Sequence, residues 1–538
     1  MRTRAAARGN PTALFLVAGA AAAYYAIFIW KTSFVIGGTR YFSLFEDAMV
    51  SMRYARNLVR GYGLVWNPGE PPVEGFTNPL WTMVMAAVHL LPLPAHVMSL
   101  VVQAIGAVIL VALLIVVHRI AEQLADDGAL GDAKGRPRAP GRKDVQRRTV
   151  RPFAIVAVIL VAFYYPLVNW TLQGMEVGLL ALIAATAAGM LLSGRSPAAI
   201  YALLAIGTFV RMDFVVTLGS FAVCGAILEP QRRARHLLVA LIAAILALGL
   251  QTLARAIYFH DIVPNTYYLK LTGYPLGLRV IRGAWVLLRS FTHSLGLLLF
   301  LPLAAVRLAR PQLRGRLAAL LVPFAGQCAY SVWVGGDAWE DAIACNRYLA
   351  VAVPLALLVS ATGLAAVAQW LDRHDRYGPV PIAALTMVAV LGMAPYRATM
   401  FLEPPPYIDA NRELTTLGLA AQQITLPGAR VAVAAAGAIG YYSDRQIVDL
   451  LGKSDRHIAR IPMWQATYQN PLTYFYPGHL KWDYAYSIGQ LRPDIVTQLW
   501  EYADQAEPYL RDYVRAEVDV DHTKVLLMAR RGSALVRR

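Results

Sequence analysis

Long apolar runs decide what this chain can be. They recur near residues 12–31, 96–117, 152–168, 177–192, 197–211, 213–228, 236–255, 291–308, 315–332, 348–369 and 379–395. A helix needs about 20 mostly apolar residues to cross a bilayer, because every backbone polar group must be satisfied internally there. About eleven spans in 538 residues, with 57% hydrophobic and only 15% charged residues, predict a polytopic α-helical membrane protein rather than a soluble enzyme. The first run has the layout of a signal peptide, but its apolarity continues through Ile27 to Trp30, so it reads as an uncleaved anchor.

One run resists the pattern. "NPLWTMVMAAVHLLP", Asn78 to Pro92, is short and closed by "PLP", and counting it as a span would move every later loop to the opposite side. Charge decides the matter. The segment from His118 to Arg151 carries Arg119, Lys134, Arg136, Arg138, Arg142, Lys143, Arg147, Arg148 and Arg151, and basic loops stay in the cytoplasm. The Asn78 run then belongs to the outer interface. With that choice the loops holding Arg195, then Arg232, Arg233 and Arg235, then Arg307, Arg310, Arg314 and Arg316, and finally Arg373 and Arg376 all fall inside. The expected protein is multi-pass, with a cytoplasmic N-terminus and everything after Pro395 outside. Cytoplasmic loops also account for the formal charge of +17; no basic-aromatic stripe is present, and nucleic acid is not an expected partner. "DDGALGDAKGRPRAPGRKD" reads as a disordered cytoplasmic loop.

Residues 397–538 change character. Strand-like runs such as "ARVAVAAAG" and "TKVLLMARR" alternate with polar segments, which predicts an extracytoplasmic α/β domain following a transmembrane domain over 1–396, with outer juxtamembrane helices at about 46–92. "GAIGYYSDRQIVDLLG" lacks the G-x-G-x-x-G spacing, so a turn is expected rather than a dinucleotide loop. Cys224 and Cys328 lie in apolar runs and Cys345 in a loop; no disulfide framework or zinc-ligand spacing arises, and no metal ligand is assigned.

Acidic and amide side chains collect on the expected outer side, while the inner loops are mostly arginine. Carboxylates at span edges are costly unless they face a cavity or a partner, so they are functional candidates. In "SLFEDAMVSMRYARNLVRGYG", Ala48, Met52, Ala55 and Val59 fall on one helical face and Arg53, Arg56 and Arg60 on the other, which predicts a flat interfacial helix. Ser43 and Glu46 fit an S-x-x-E capping box, which leaves Asp47 as the better candidate for a general base. The arginines of this helix face headgroups or ligand, and Arg53 is grouped with the phosphate ligands. "NPGEPPVEGFTNPLW" reads as a rigid outer loop in which Glu74, Asn78 and Trp81 offer hydrogen bonds and an apolar face to a sugar, or simply make a turn.

Gln173 and Glu176 lie one turn apart at a span entrance, and Asp213 stands beside Arg211, where an interfacial salt bridge is the plainer reading. Asn265, Asp337, His479 and Lys481 complete the substrate-facing candidates. Lys270 and Arg347 either hold a lipid phosphate, as point charge and bidentate fork, or anchor helices among headgroups. Lys453, His457 and Asp483 fall in polar loops of the outer domain, where the separated histidines are weak metal candidates.

Taken in order, "EDAMVSMRYARNLVRGYGLVWNPGEPPVEGFTNPLW", "LQGMEVGLLAL", "RMD", "PNTYYLK", "GGDAWEDAIACNRYLAVAVP", "GAIGYYSDRQIVDLLG" and "PGHLKW" resemble the GT-C superfamily of polyprenyl-phosphate-dependent glycosyltransferases. Within it the resemblance is greatest to the terminal arabinofuranosyltransferases of actinobacterial cell walls, and it runs from about Ser43 to Arg492. It implies transfer of a sugar from a donor such as decaprenyl-phosphoryl arabinofuranose to an extracytoplasmic cell-wall glycan, among membrane lipids of the bacterial inner (plasma) membrane. In that family the first outer loop carries an acidic pair, usually Asp-Asp, at the position of Glu46 and Asp47; the resemblance favours the first acid as the catalytic member, whereas the capping argument favours the second. An inverting transfer needs one carboxylate as base, with Lys270 or Arg347 stabilising the departing phosphate; a retaining one needs another arrangement, such as a carboxylate nucleophile. No cofactor is required by the sequence, and a divalent cation on the phosphate is left open. The alternatives are transfer of mannose or another hexose onto a glycan or protein and, from another class, a transporter or lipid flippase, which would place polar groups near mid-span and show repeated halves.

Overall fold

The computed structural model describes residues 11–126, 153–292, 300–308, 311–338, 346–371, 380–392, 407–464 and 475–537. The expected disordered cytoplasmic loop, most of the basic residues of 118–151, Glu340, Asp341, Cys345, Arg373, Arg376 and the domain boundary at 396/397 lie outside them.

The chain opens with α1 (Pro11–Lys31), 21 residues long and so about 31 Å, enough to cross the hydrocarbon core. A hairpin of β1 (Phe34–Ile36) and β2 (Thr39–Tyr41) leads into α2 (Glu46–Val59) and α3 (Pro79–His89). At 11 residues α3 rises only about 16 Å, half of what a span needs. The helices α4 (Ala95–Asp126), α5 (Phe153–Ala162) and α6 (Tyr165–Leu172) follow, the last two bent by 50°. The bend has a chemical cause. Pro166 has no N–H for the Ala162 carbonyl four residues back, and Tyr25 of α1 donates to that carbonyl instead, at 3.0 Å.

After these come α7 (Val177–Leu192), α8 (Pro197–Val210), α9 (Val215–Leu228), α10 (Arg233–Tyr258), α11 (Asn265–Leu271), α12 (Leu276–Ser290), α13 (Leu301–Leu308), α14 (Pro311–Val334), α15 (Arg347–Ala350), α16 (Val353–Leu371) and α17 (Val380–Gly392). Among the described residues four helices are by themselves long and apolar enough to cross a membrane, the bent pair makes a fifth, and α7, α8, α9, α16 and α17 contribute shorter apolar segments. Exposed Leu238, Leu241, Ile245, Leu246 and Leu250 give α10 an apolar outer face, as lipid contact requires. Helix direction sorts the loops by end. α7 runs from Glu176 to Arg195, α8 returns to Arg211, α9 leads to Arg232 and α10 returns to Arg255, so basic loops gather at one end of the bundle and the candidate residues at the other.

The C-terminal unit begins with α18 (Tyr407–Ile424) and continues through β3 (Arg430–Val433), α19 (Gly437–Ser443), β4 (Gln446–Asp449), α20 (Arg456–Arg460), β5 (Ile495–Val496), β6 (Tyr513–Val520) and β7 (Thr523–Arg530). Its sheet has the order β4-β3-β5-β7-β6, parallel across β4, β3 and β5 and antiparallel beyond. "GAIGYYS" thus forms a short helix between parallel strands where a turn was expected. A second core joins this sheet to α2 and the loop that follows it: Val50, Tyr54, Trp66 and Phe76 pack with Val431, Ile439 and Ile447. Helix α2 is therefore covered by protein on both faces, with Ala48 through Asn57 all buried, rather than lying against headgroups.

Candidate active site

Two chambers meet at Asp47, which projects from the first turn of α2. One, of about 990 Å³, opens among the ends of the membrane helices and is lined by Asn78, Arg211, Asp213, Arg255, Lys270, Tyr330, Asp337, Arg347 and Lys453. The other, of about 1530 Å³, lies under the C-terminal domain between α18 and the loops bearing Ala435, His479 and Trp500; its wall is mostly apolar, with Leu269, Leu414, Leu451 and Leu499 beside Glu46 and Asp449. Asp47, Lys270, Asp337 and Lys453 line both.

Three cations face two carboxylates at this junction. Arg347 Nη1 donates to Asp47 Oδ2 at 2.7 Å, its Nε lies 2.9 Å from Asp337 Oδ2, and Lys453 Nζ donates to Asp47 Oδ1. Lys270 makes no hydrogen bond or ion pair among the described residues, although its side chain lines both chambers. Burial disfavours a charged Asp47, yet Lys453, Arg347 and Lys270 outweigh it and hold the carboxyl well below its ordinary range. Burial, reinforced by Arg347, pushes Lys270 down. His479 on the wall of the larger chamber is depressed to about 4 by burial and then by Lys270, so its ring is neutral near pH 7.

Glu46 does something else. Helix α2 has Phe45 as its N-cap and no side-chain cap, so the expected Ser43–Glu46 capping box does not form. The Glu46 carboxylate reaches across to the C-terminal domain, accepting from the backbone N–H of Gly437 and, at 3.0 Å, of Ala438. It caps α19 rather than its own helix, meeting donors that helix geometry leaves unpaired. Burial raises its pKa against those bonds. Gly437 is required there: a Cβ would stand 2.2 Å from the Glu46 carbonyl oxygen.

The arginines of α2 are corrected as well. Arg53 is 1% exposed and donates to the carbonyls of Trp66 (2.9 Å), Gly440 (2.5 Å) and Arg445 (2.7 Å) and to Asn67 Oδ1 (2.9 Å), so four of its five N–H groups are committed to the fold and its side chain lines neither chamber. Arg56 donates to the Tyr441 carbonyl and pairs with Asp444, as does Arg60. All three grip the C-terminal domain.

Several other expected substrate contacts are structural bonds in this structure. Glu74 is buried against Arg255, with Oε2 2.5 Å from Nε, and does not line either chamber. Trp81 is a core residue whose Nε1 donates to the Gly174 carbonyl at 2.8 Å. Gln173 is fully buried and lines neither chamber. Glu176 sits between Arg211 and Asn78, at 2.7 and 2.9 Å, and Arg211 also takes Asp213 at 2.8 Å, the salt bridge foreseen. Asp213 and Asn78 still line the smaller chamber. Asn265 donates to the carbonyls of Gly452, Lys453 and Asp455, and Lys481 Nζ to those of Tyr268, Thr272 and Ala459, so both staple α11 to the C-terminal domain, and neither lines a chamber. Lys453, which the sequence offered only as a polar loop residue, stands at the centre; the signal was its place just after an apolar strand, in "LLGKSD".

Comparison with known proteins concerns the fold. Over 96% of this chain and 98% of the other, the structure matches ArnT from Cupriavidus metallidurans crystallised bound to undecaprenyl phosphate, with a TM-score of 0.57 and 11% identity. The apo state of the same protein gives 0.53 over the same coverage. The chain has an ArnT-like fold. A domain of unknown function (DUF8728) matches residues 407–527, and no curated protein matches in sequence.

Proposed function

We propose that the protein transfers a sugar from a polyprenyl phosphate to a hydroxyl of an extracytoplasmic glycan, with arabinofuranose as the sugar and a cell-wall glycan as the acceptor that the sequence motifs imply. The observation that carries this reading is a carboxylate at the junction of two chambers, one cationic and opening among membrane helices, the other larger and mostly apolar-walled. Its plainest support beyond that is the fold, whose relative was crystallised with undecaprenyl phosphate. The basic loops at the far end of the bundle favour the outer face for the site.

In this scheme the donor phosphate enters the cationic chamber and the sugar C1 reaches the junction. The acceptor hydroxyl comes from the larger chamber, and its oxygen forms the new bond to C1 as the C1–O bond to phosphate breaks. Asp47 takes the hydroxyl proton, and polyprenyl phosphate leaves with its charge met by Lys270 and Arg347. No step is routed through a metal: Asp47 and Asp337 are committed to Arg347 and Lys453, which leaves a poor donor set for a divalent cation. Glu46 is assigned to domain docking. Asp47→Asn should lower transfer from a polyprenyl-phosphate sugar in a reconstituted assay by about 10²- to 10⁴-fold, the usual worth of a general base. Full activity in that variant removes Asp47 from the chemistry.

A further inference from the structure

Asp47 is in a poor state to accept a proton. Each oxygen is held by a different cation, Lys453 on Oδ1 and Arg347 on Oδ2. A base so neutralised works only if one cation leaves, and the two are not equally free to do so. Arg347 is fixed from the other side by Asp337, with contacts at 2.9 and 3.3 Å. Lys453 has no such second anchor in its side chain: its only hydrogen-bond or ion-pair partner among the described residues is Asp47.

The backbone under Lys453 is the opposite case. Asp449 accepts from the amides of Leu451, Gly452 and Ser454, while Asn265 holds the carbonyls of Gly452, Lys453 and Asp455. A fixed base carries a flexible four-carbon arm ending in a point charge, and the arm lines the cationic chamber. Lys270 waits beside it, without a hydrogen-bonded partner among the described residues.

We infer that Lys453 is a ligand of the donor phosphate that the resting site keeps on Asp47, and that arrival of the phosphate draws its ammonium off the carboxylate and so frees Asp47 Oδ1. The C-terminal domain thereby supplies the third phosphate cation, and binding of the donor switches the base on. Like charges explain why the exchange is favourable: a phosphate between Lys453 and Lys270 relieves the crowding of Lys453, Lys270 and Arg347 around Asp47. The inference rests on the transfer proposed above, because the phosphate in question is that of the lipid donor.

The exchange makes Asp47 and the phosphate competitors for one ammonium, a relation that a merely structural ion pair does not produce. Undecaprenyl phosphate binding to the full-length protein in detergent is therefore the measurement, with inorganic phosphate as a second probe. Asp47→Asn should bind the lipid phosphate roughly tenfold more tightly than the wild type, within the usual range of coupling between sites. Lys453→Gln should bind it more weakly, Lys453→Arg should recover part of the loss, and Lys453→Gln should erase the gain in the Asp47→Asn background. Unchanged or weaker binding by a folded Asp47→Asn overturns the exchange while leaving the transferase reading intact. Should Asp47→Asn not fold, undiminished lipid phosphate affinity in Lys453→Gln overturns it equally. Absence of any binding of undecaprenyl phosphate to the wild type overturns the transferase reading itself, and inorganic phosphate bound as tightly as the lipid, with the same dependence on Asp47, supports the exchange but removes the lipid donor.

Discussion

Arg53 and Arg347 carry the same charge into two buried settings, and only one belongs to the site. Sequence reading grouped both as phosphate ligands because charge and sidedness were visible while partners were not; the Gly440 carbonyl that accepts from Arg53 lies 387 positions away. Their variants should part company. Arg53→Met removes the side-chain donor from the carbonyls of Gly440 and Arg445 and one of two donors from the Trp66 carbonyl and Asn67 Oδ1, and should destabilise the protein by about 3 kcal/mol or more, read as a lower melting temperature in detergent. Lys270→Met breaks no bond within the described residues, so its melting temperature should hold while donor KM rises roughly tenfold to a hundredfold, as loss of a charge-assisted contact implies. His479 gives the residue scale a pH signature. Burial, then Lys270, hold its ring near 4 in the folded protein, against the Asp47 charge; an unfolded chain titrates it near 6.5. The unfolded state thus binds more protons between those values, and this contribution to stability is lost as pH falls from about 6.5 toward 4. His479→Gln should flatten that limb of the melting-temperature profile.

At the scale of elements, periodicity was informative wherever the surroundings were uniform. Within the described residues the long apolar runs are helices, because lipid imposes one rule on every residue, and the short Asn78 run is α3, whose 11 residues cannot reach across. Amphipathic α2 was legible only by half. Its two faces were recognised, but the apolar one was laid on the membrane, whereas Ala48, Met52 and Ala55 are buried in protein; an arginine face fits a headgroup layer and a docked domain equally well, and only the fold supplies Gly440, Tyr441 and Asp444. The loop 450–455 was opaque for a related reason: its order comes from Asp449 and Asn265, side chains on separate elements. Asp449→Asn replaces one acceptor oxygen by a donor facing backbone N–H groups, so the loop should loosen and Lys453 lose its fixed base. Transfer should fall although Asp449 has no assigned part in the chemistry, and hydrogen exchange should rise over 450–455.

On the scale of the molecule, the adjacent acids of α2 divide two tasks that their adjacency couples. Asp47 faces the chambers, while Glu46, one residue earlier, clasps the first turn of α19. Between α19 and Lys453 lies only β4 and its following loop, so the docking of the C-terminal domain on Glu46 also sets where Lys453 meets Asp47. Gly437→Ala tests this without replacing any side chain that lines either chamber. A Cβ there meets backbone, the Glu46 carbonyl at 2.2 Å, so α19 must retreat from α2 rather than a side chain swing aside. The expected result is a large loss of transfer, faster proteolysis of the C-terminal domain, and a melting temperature lowered less than by Arg53→Met, since the Arg53 hydrogen bonds can persist. Gly249→Ala on α10, where a Cβ meets nothing within 4 Å, should leave all three unchanged. Transfer that survives Gly437→Ala would show that the C-terminal domain covers the site without completing it.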